Sequence, residues 1–249
     1  MPTWNPNQYL KFAAERTRPC RELASRISVP HPRRIIDLGS GPGNSTEVIA
    51  SFWPDADIFA LDSSHEMVRN GREKYPMFHW VSEDIAGWAS KETDCFDVVF
   101  SNAALQWVPQ HELVVPQLLK QVCSGGALAF QMPADINAPP HKLMREIFGG
   151  TVREWHAHDL AYYYDLLSRD ASSIVSWETT YMHVMESAEE IVEWYKGTGL
   201  RPYIDAIGTE SERERFLHDY LEGIRRLFSP RLDGRILFPF RRIFVIAYR

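Results

Sequence analysis

Cysteine is scarce in this chain of 249 residues, which contains only Cys20, Cys95 and Cys123. Their number is odd and no two have metal-binding spacing, so the pattern predicts reduced thiols and no metal site. No apolar run is long enough to cross a bilayer, and the N-terminal sequence lacks the charged and apolar regions of a signal peptide. These absences predict a soluble, cytoplasmic protein that does not bind a membrane.

The chain also lacks an excess of positive charge. Its formal net charge is −6, and its lysine and arginine residues are spread along the sequence. A nucleic-acid surface needs a basic face, so we expect no nucleic-acid partner. The length and a hydrophobic content of 45% suit one large α/β domain. We expect a monomer or a weak homo-oligomer.

A glycine-packed turn follows the first apolar strand, in the sequence Asp37-Leu-Gly39-Ser-Gly41-Pro-Gly43-Asn44. Glycines at such a turn let the backbone approach a nucleotide-like ligand closely. The third glycine comes one residue earlier than in the dinucleotide-binding pattern, and the lysine of an ATPase phosphate loop is absent. The turn therefore predicts a ligand other than a dinucleotide or ATP.

Acidic and amide residues follow three further strands at the same position. Asp62 ends the second strand and can accept hydrogen bonds from both hydroxyls of a ribose. Glu83-Asp84-Ile85 follows the third strand, and Asn102 ends the fourth. Each taken alone fits a helix cap or a solvated turn, but their ordered spacing predicts one crevice at the carboxyl ends of parallel strands.

Short apolar runs alternate with helical segments through the first half of the chain, which predicts a parallel sheet covered on both faces. In the second half, 174–184 and 242–248 are predicted to be strands that pair as a hairpin interrupted by a helical insert. Capping boxes are expected at Ser63, Ser187 and Thr209. At the N-terminus, one helix is expected to open at Asn5 and a second to span about 19–27.

The combination resembles the class I S-adenosylmethionine-dependent methyltransferases. The resemblance implies an α/β, Rossmann-like fold with a seven-stranded sheet, its last strand antiparallel and helices on both faces. It also implies S-adenosyl-L-methionine as cofactor, with 1–29 as a helical lid, 30–135 as the cofactor-binding core, and 133–170 and 187–235 as helical insertions over the substrate. The implied cofactor-binding residues are Asp37, Gly39, Gly41, Gly43, Asn44, Asp62, Ser63, Met67, Glu83, Asp84, Ile85, Asn102, Ala103 and Trp107.

Beyond the cofactor-binding motifs, the segments beginning at Trp4, Asn102, Gln131, Leu143 and Thr198 resemble those of the trans-aconitate 2-methyltransferases. The reaction implied is transfer of a methyl group to one carboxylate of a small tricarboxylate, giving a monomethyl ester and S-adenosylhomocysteine. A carboxylate is already ionised at neutral pH, so we expect positioning without a catalytic acid or base. The substrate-binding residues expected are Tyr9, Arg16, Arg145, Arg201 and His183, with arginine favoured because it pairs bidentately with carboxylates.

Several alternatives remain open at this point. The arginines could be surface charges, Tyr9 and Trp107 could be core residues, and His183 could be structural. His156 and His158 are interpreted as loop residues and not as metal ligands. The chain could also methylate another small organic acid or an amine, or bind the cofactor without catalysis.

Overall fold

The structure is a computed structural model that describes residues 12–91, 94–134, 136–152 and 155–249, apart from the side chains of residues 13, 14 and 16. The strands are β1 Arg34–Leu38, β2 Asp57–Asp62, β3 His79–Ser82, β4 Phe96–Asn102, β5 Val122–Pro133, β6 Ser173–Met185 and β7 Ile236–Tyr248. The helices are α1 Ala13–Ser25, α2 Asn44–Phe52, α3 His65–Lys74, α4 Ile85–Ala89, α5 His111–Lys120, α6 Pro139–Phe148, α7 Leu160–Leu167, α8 Ala188–Lys196, α9 Arg201–Ala206 and α10 Glu210–Leu227. A short 3₁₀ turn spans Leu105–Trp107.

The seven strands form one sheet in the order β3-β2-β1-β4-β5-β7-β6. The pairings among β1 to β5 are parallel, whereas β7 runs antiparallel to β5. The strand order reverses between β1 and β4, which is the place where open α/β sheets bind ligands at their carboxyl ends. The predicted seven-stranded α/β sheet with an antiparallel last strand is confirmed, and so is the placing of β6 beside β7.

The chain divides into two compact units. The core unit comprises the described parts of 16–134, 156–179 and 242–249. The helical unit comprises the described parts of 1–15, 135–155 and 180–241. The expected roles of 1–29 as a lid, and of 133–170 and 187–235 as substrate-covering insertions, stay predictions.

Helix α1 begins at Ala13, earlier than the start near residue 19 that the sequence predicts for the second helix. It continues through Pro19, although proline removes a backbone donor and normally ends a helix. The residues after the proline explain the continuation, because Cys20, Leu23 and Ala24 are almost completely buried. Burial of this apolar face outweighs the local preference of proline. The expected helix start at Asn5 lies outside the described residues.

The helix caps follow the sequence prediction at one of three positions. Thr209 caps α10, since its hydroxyl accepts a hydrogen bond from the Glu212 backbone N–H at 3.3 Å. The cap of α3 is Ser64 and not Ser63, because the Ser64 hydroxyl accepts from the backbone N–H of Met67. At α8 the Ser187 side chain makes no cap hydrogen bond.

The expectation of reduced cysteines is wrong for two of the three residues. Cys95 and Cys123 form a disulfide, and Cys20 is a buried free thiol. The pairing follows from the sheet, because Phe96 of β4 lies opposite Val122 of β5 and the two cysteines flank this pair. Their sequence separation of 28 gives no hint of that register. Among the described residues, no helix is long and apolar enough to cross a membrane.

Thiol counting tests this bridge. The denatured chain, kept free of reductant, should react with a thiol reagent at one site, Cys20, and after reduction at all three cysteines. Cys95→Ser is the matched control, because it should expose Cys123 as a second reactive thiol without reduction. Three reactive thiols in the untreated denatured protein would contradict the bridge.

Candidate functional site

The carboxyl ends of four parallel strands meet at one edge of the core unit. The register places Asp37 of β1 opposite Ala60 of β2 and Phe100 of β4. It also places Asp62 opposite Ser82, and Asn102 opposite Gln131. The polar residues that the sequence analysis found at successive strand ends therefore lie along one edge, around the reversal of strand order.

The three glycines of the turn all have positive φ, but they differ in what surrounds them. A Cβ on Gly39 would lie 2.2 Å from the Ala104 Cβ, and one on Gly43 would lie 2.8 Å from the Tyr75 ring. These two glycines therefore allow close packing within the protein. Gly41 is different, because a Cβ there would meet no atom within 4 Å. The turn thus has an open side at Gly41, where a ligand can approach the backbone.

Asp62 fixes the position of that open glycine. Its Oδ2 accepts a hydrogen bond from the Gly41 backbone N–H at 2.9 Å, and its Oδ1 accepts from the Ser64 N–H at 2.8 Å. Burial raises the pKa of Asp62, while the two backbone hydrogen bonds oppose this change. A carboxylate has about four acceptor positions. Asp62 can therefore hold the turn and still accept from ligand hydroxyls.

Asp37 lies beneath the turn and is fully buried. Its Oδ2 accepts from the hydroxyls of Ser45 at 2.6 Å and Thr46 at 2.7 Å, so it anchors the start of α2. Its Oδ1 is buried without a hydrogen-bond partner among the described residues. Burial raises the pKa of Asp37 from 3.8 to about 6, although both hydroxyl bonds favour the ionised form. Anchoring the helix is a role that the sequence analysis did not assign to Asp37.

The acids after β3 have partners within the protein. The Asp84 Oδ1 accepts from the Gly87 backbone N–H at 2.8 Å and so caps α4, while Glu83 pairs with Lys91 at 2.5 Å. Ile85 is buried, and its Cδ1 would lie 3.7 Å from a Cβ on Gly39. The loop after β3 therefore packs against the glycine turn, as a ring-binding wall must. Recognition of a base by Glu83 and Asp84 stays a prediction.

A chain of hydrogen bonds holds the end of β4. The Arg242 Nη1 donates to the Gln131 Oε1 at 2.9 Å, and the Gln131 Nε2 donates to the Asn102 Oδ1. Next to this chain, Ala103 adopts a positive φ of 55°, and its backbone N–H donates to the Gln131 carbonyl oxygen at 3.0 Å. Arg242 is not among the residues predicted from the sequence, because it approaches Asn102 only through the pairing of β5 with β7.

The remaining candidates of the core unit lie close to these elements in the chain. Asn44 is the first residue of α2, and Ser63 is exposed beside Asp62. Met67 lies in the first turn of α3, and Trp107 ends the 3₁₀ turn and is partly buried. Their contacts with a ligand stay predictions.

The helical unit contains three of the expected substrate-binding residues. The Arg145 Nη1 donates to the Ile136 carbonyl oxygen at 2.9 Å, and the residue lines a small pocket. Arg201 forms an ion pair with Asp205 at 3.1 Å. His183 is buried with its ring 4.7 Å from that of Trp194, a placement that suits packing. Tyr9 and the side chain of Arg16 lie outside what the structure describes.

The comparison of this chain with known proteins identifies its family. A family model described as a methyltransferase domain matches residues 35–126. A protein named trans-aconitate 2-methyltransferase from Azoarcus sp. (strain BH72) is 44% identical over 260 residues, covering 100% of both chains. The chain belongs to the trans-aconitate 2-methyltransferase family. The family resemblance of the sequence segments is therefore confirmed.

Two solved structures show how widely this family's fold is shared. The YcgJ protein from Bacillus subtilis has a TM-score of 0.62 at 13% identity, covering 93% of this chain and 99% of that one. Phosphoethanolamine N-methyltransferase 2 from Haemonchus contortus, in complex with S-adenosyl-L-methionine, has a TM-score of 0.58 at 14% identity, covering 93% of this chain and 52% of that one. These likenesses support the methyltransferase fold.

The buried carboxyl of Asp37 generates a prediction about stability and pH. Its pKa is higher in the folded chain than the ordinary 3.8, so ionisation between about 3.8 and about 6 destabilises the folded state by roughly 3 kcal/mol. Asp37→Asn cannot ionise. The free energy of unfolding of Asp37→Asn, relative to the parent, should therefore rise by up to about 3 kcal/mol between pH 4 and pH 7.5.

Urea unfolding at several pH values, without added ligand, measures this difference. Asp97→Asn is the control, because Asp97 accepts from two backbone N–H groups outside the glycine turn. A constant difference between parent and Asp37→Asn across the pH range would show that the Asp37 carboxyl does not titrate as described.

Proposed function

We propose that the core unit binds S-adenosyl-L-methionine at the glycine turn and that the chain transfers its methyl group to a carboxylate of trans-aconitate. The observation that carries the cofactor part is the open side of Gly41, with the Asp62 carboxylate hydrogen-bonded to its backbone. The substrate part is supported by the name of the full-length relative from Azoarcus.

The residues present fit this cofactor. Gly41 leaves room for the ligand beside the backbone, and Asp62 has acceptor capacity for ribose hydroxyls. Ile85 offers an apolar surface for the adenine ring, and the Arg242–Gln131–Asn102 chain fixes the adjoining strand end. S-adenosyl-L-methionine, when bound, would supply an electrophilic methyl group on its sulfonium, and transfer of that methyl group would leave S-adenosylhomocysteine.

The protein's task in this reaction is positioning. The accepting carboxylate is ionised at neutral pH and nucleophilic, so no residue of the chain needs to remove a proton. Proximity and orientation alone can supply effective molarities on the order of 10⁵ M. The chain has to bind a trianionic substrate although its own net charge is −6, so local arginines must provide the attractive field. Arg145 is the described arginine best placed to do so, because it lines a pocket.

The proposal also includes the binding partners of the chain, its oligomeric state and the role of its helical insertions. The substrate is a small tricarboxylate, the chain acts without nucleic acid and as a monomer or weak homo-oligomer, and the helical insertions cover the substrate. The acidic charge and the dispersed basic residues support the point about nucleic acid. Another small organic acid or an amine is the alternative substrate, and an amine would call for a residue that takes up its proton.

The open glycine can be tested with a matched pair of variants. Gly41 and Gly125 both have positive φ and open space where a Cβ would lie, so alanine at either position should cost about 1–2 kcal/mol of stability. Only Gly41→Ala should weaken S-adenosylmethionine binding, by roughly tenfold or more. The alanine methyl group would occupy the open side of the turn, where the cofactor approaches the backbone. Calorimetric titration measures both. Equal affinities in the two variants would place the cofactor elsewhere.

The reaction itself is tested with methyl-labelled S-adenosylmethionine and trans-aconitate. We expect transfer of the label, followed by its release as methanol under mild alkali, because the product is a methyl ester. Gly41→Ala should lower the rate, whereas Gly125→Ala should retain it. Label that resists alkali would exclude an ester. No transfer by protein that binds the cofactor would contradict trans-aconitate as the substrate and favour the alternative acids and amines.

A further inference from the structure

A small pocket in the helical unit contains two chemically distinct nitrogen groups on one helix. His141 and Arg145 are four residues apart on α6, so they lie on the same face of the helix. Both line the pocket, and the other lining residues are Ile136, Trp155, Gly199, Pro202 and Tyr203.

The His141 ring is tightly packed, and one of its two nitrogen atoms has no hydrogen-bond partner among the described residues. Its ring lies 4.6 Å from the Trp155 ring and 5.3 Å from the Tyr195 ring. Gly199 closes over it so tightly that a Cβ there would lie 2.9 Å from the His141 Cε1. Its Nε2 is buried without a hydrogen-bond partner among the described residues. A buried polar atom left in this way costs free energy, which a ligand can recover by bonding to it.

The two residues differ in charge, because the His141 imidazole is neutral and the Arg145 guanidinium is positive. Burial, and to a smaller extent the neighbouring Arg145, lower the pKa of His141 to about 4. The imidazole is therefore neutral at physiological pH, and its tautomer with the proton on Nε2 can donate one hydrogen bond from that atom. The Arg145 Nη1 donates a hydrogen bond to the Ile136 carbonyl oxygen, which fixes the guanidinium in the pocket wall.

We propose that this pocket binds one carboxylate of the tricarboxylate substrate, with the Arg145 guanidinium supplying the charge and the His141 Nε2–H supplying a neutral donor. The inference rests on the proposed substrate and adds His141 as a specificity-determining residue. A fixed fork and a fixed single donor recognise a planar carboxylate in one orientation. The pocket should therefore distinguish trans-aconitate from the dicarboxylate that lacks the carboxylate it holds.

Ligands that each lack one carboxylate make this testable. Itaconate, mesaconate and glutaconate are trans-aconitate without one or another of its three carboxylates. Binding is measured by calorimetry in the presence of S-adenosylhomocysteine. Arg145→Ala should weaken trans-aconitate binding roughly tenfold or more, and should leave the affinity for one of the three dicarboxylates unchanged. Arg145→Lys, the milder variant, should fall between the parent and Arg145→Ala, because an ammonium lacks the planar fork.

The His141 variants separate hydrogen bonding from packing. His141→Phe keeps a ring against Trp155 and removes the donor, so it should reproduce the ligand pattern of Arg145→Ala. His141→Gln restores a neutral N–H near the Nε2 position and should recover most of the affinity. Arg225→Ala is the control for loss of positive charge in the helical unit, because Arg225 is an exposed residue paired with Glu189 and Glu222. It should change no affinity.

The outcomes separate this inference from the proposed function. Suppose that the protein methylates trans-aconitate, and that Arg145→Ala weakens the binding of all four ligands equally or of none. This result would overturn the role of the pocket and leave the proposed function standing. The expected ligand pattern without methyl transfer would support the pocket and contradict the function. Failure of the parent protein to bind any of the four carboxylates would overturn both.

Discussion

The parallel pairing of β1 with both β2 and β4 is the constraint on which the site depends. It places the ends of strands that are distant in sequence along one edge, with a reversal of order between them. The backbone beyond β1 must then turn away, and it does so with positive φ at Gly39, Gly41 and Gly43. The same geometry that builds the sheet therefore also forms the candidate site.

Polar side chains stabilise the backbone at this edge, because their hydrogen bonds join neighbouring strands, turns and helices. Asp62 joins the glycine turn to the loop before α3, and Asp37 joins β1 to α2. The Arg242–Gln131–Asn102 chain joins β7, β5 and β4. Each is a buried or half-buried polar group with a hydrogen-bond partner, as a low dielectric interior requires. Positioning catalysis benefits, because the binding surface is rigid before the ligand arrives.

Electrostatics set a second requirement on this acidic protein. A substrate with several carboxylates is repelled by a net charge of −6 and has to be bound by arginines that are individually well placed. Several arginines of the helical unit are already paired with acids, including Arg201 with Asp205. Arg145 lines a pocket next to the buried, neutral His141. Local geometry therefore determines which cations can act on the substrate.

The sequence by itself determined the sheet, the glycine turn and the family. Apolar runs, glycine spacing and acids at strand ends are local patterns, and the strands, α2 and the cap at Thr209 formed where these patterns predicted. Only the tertiary structure decided that α1 continues through Pro19, that Cys95 bonds to Cys123 and that Arg242 meets Gln131. It also brought His141 into a pocket with Gly199 and Tyr203. These features depend on contacts between residues that are far apart in the chain. Local sequence patterns cannot predict them, because the energies of such contacts arise only when the chain folds.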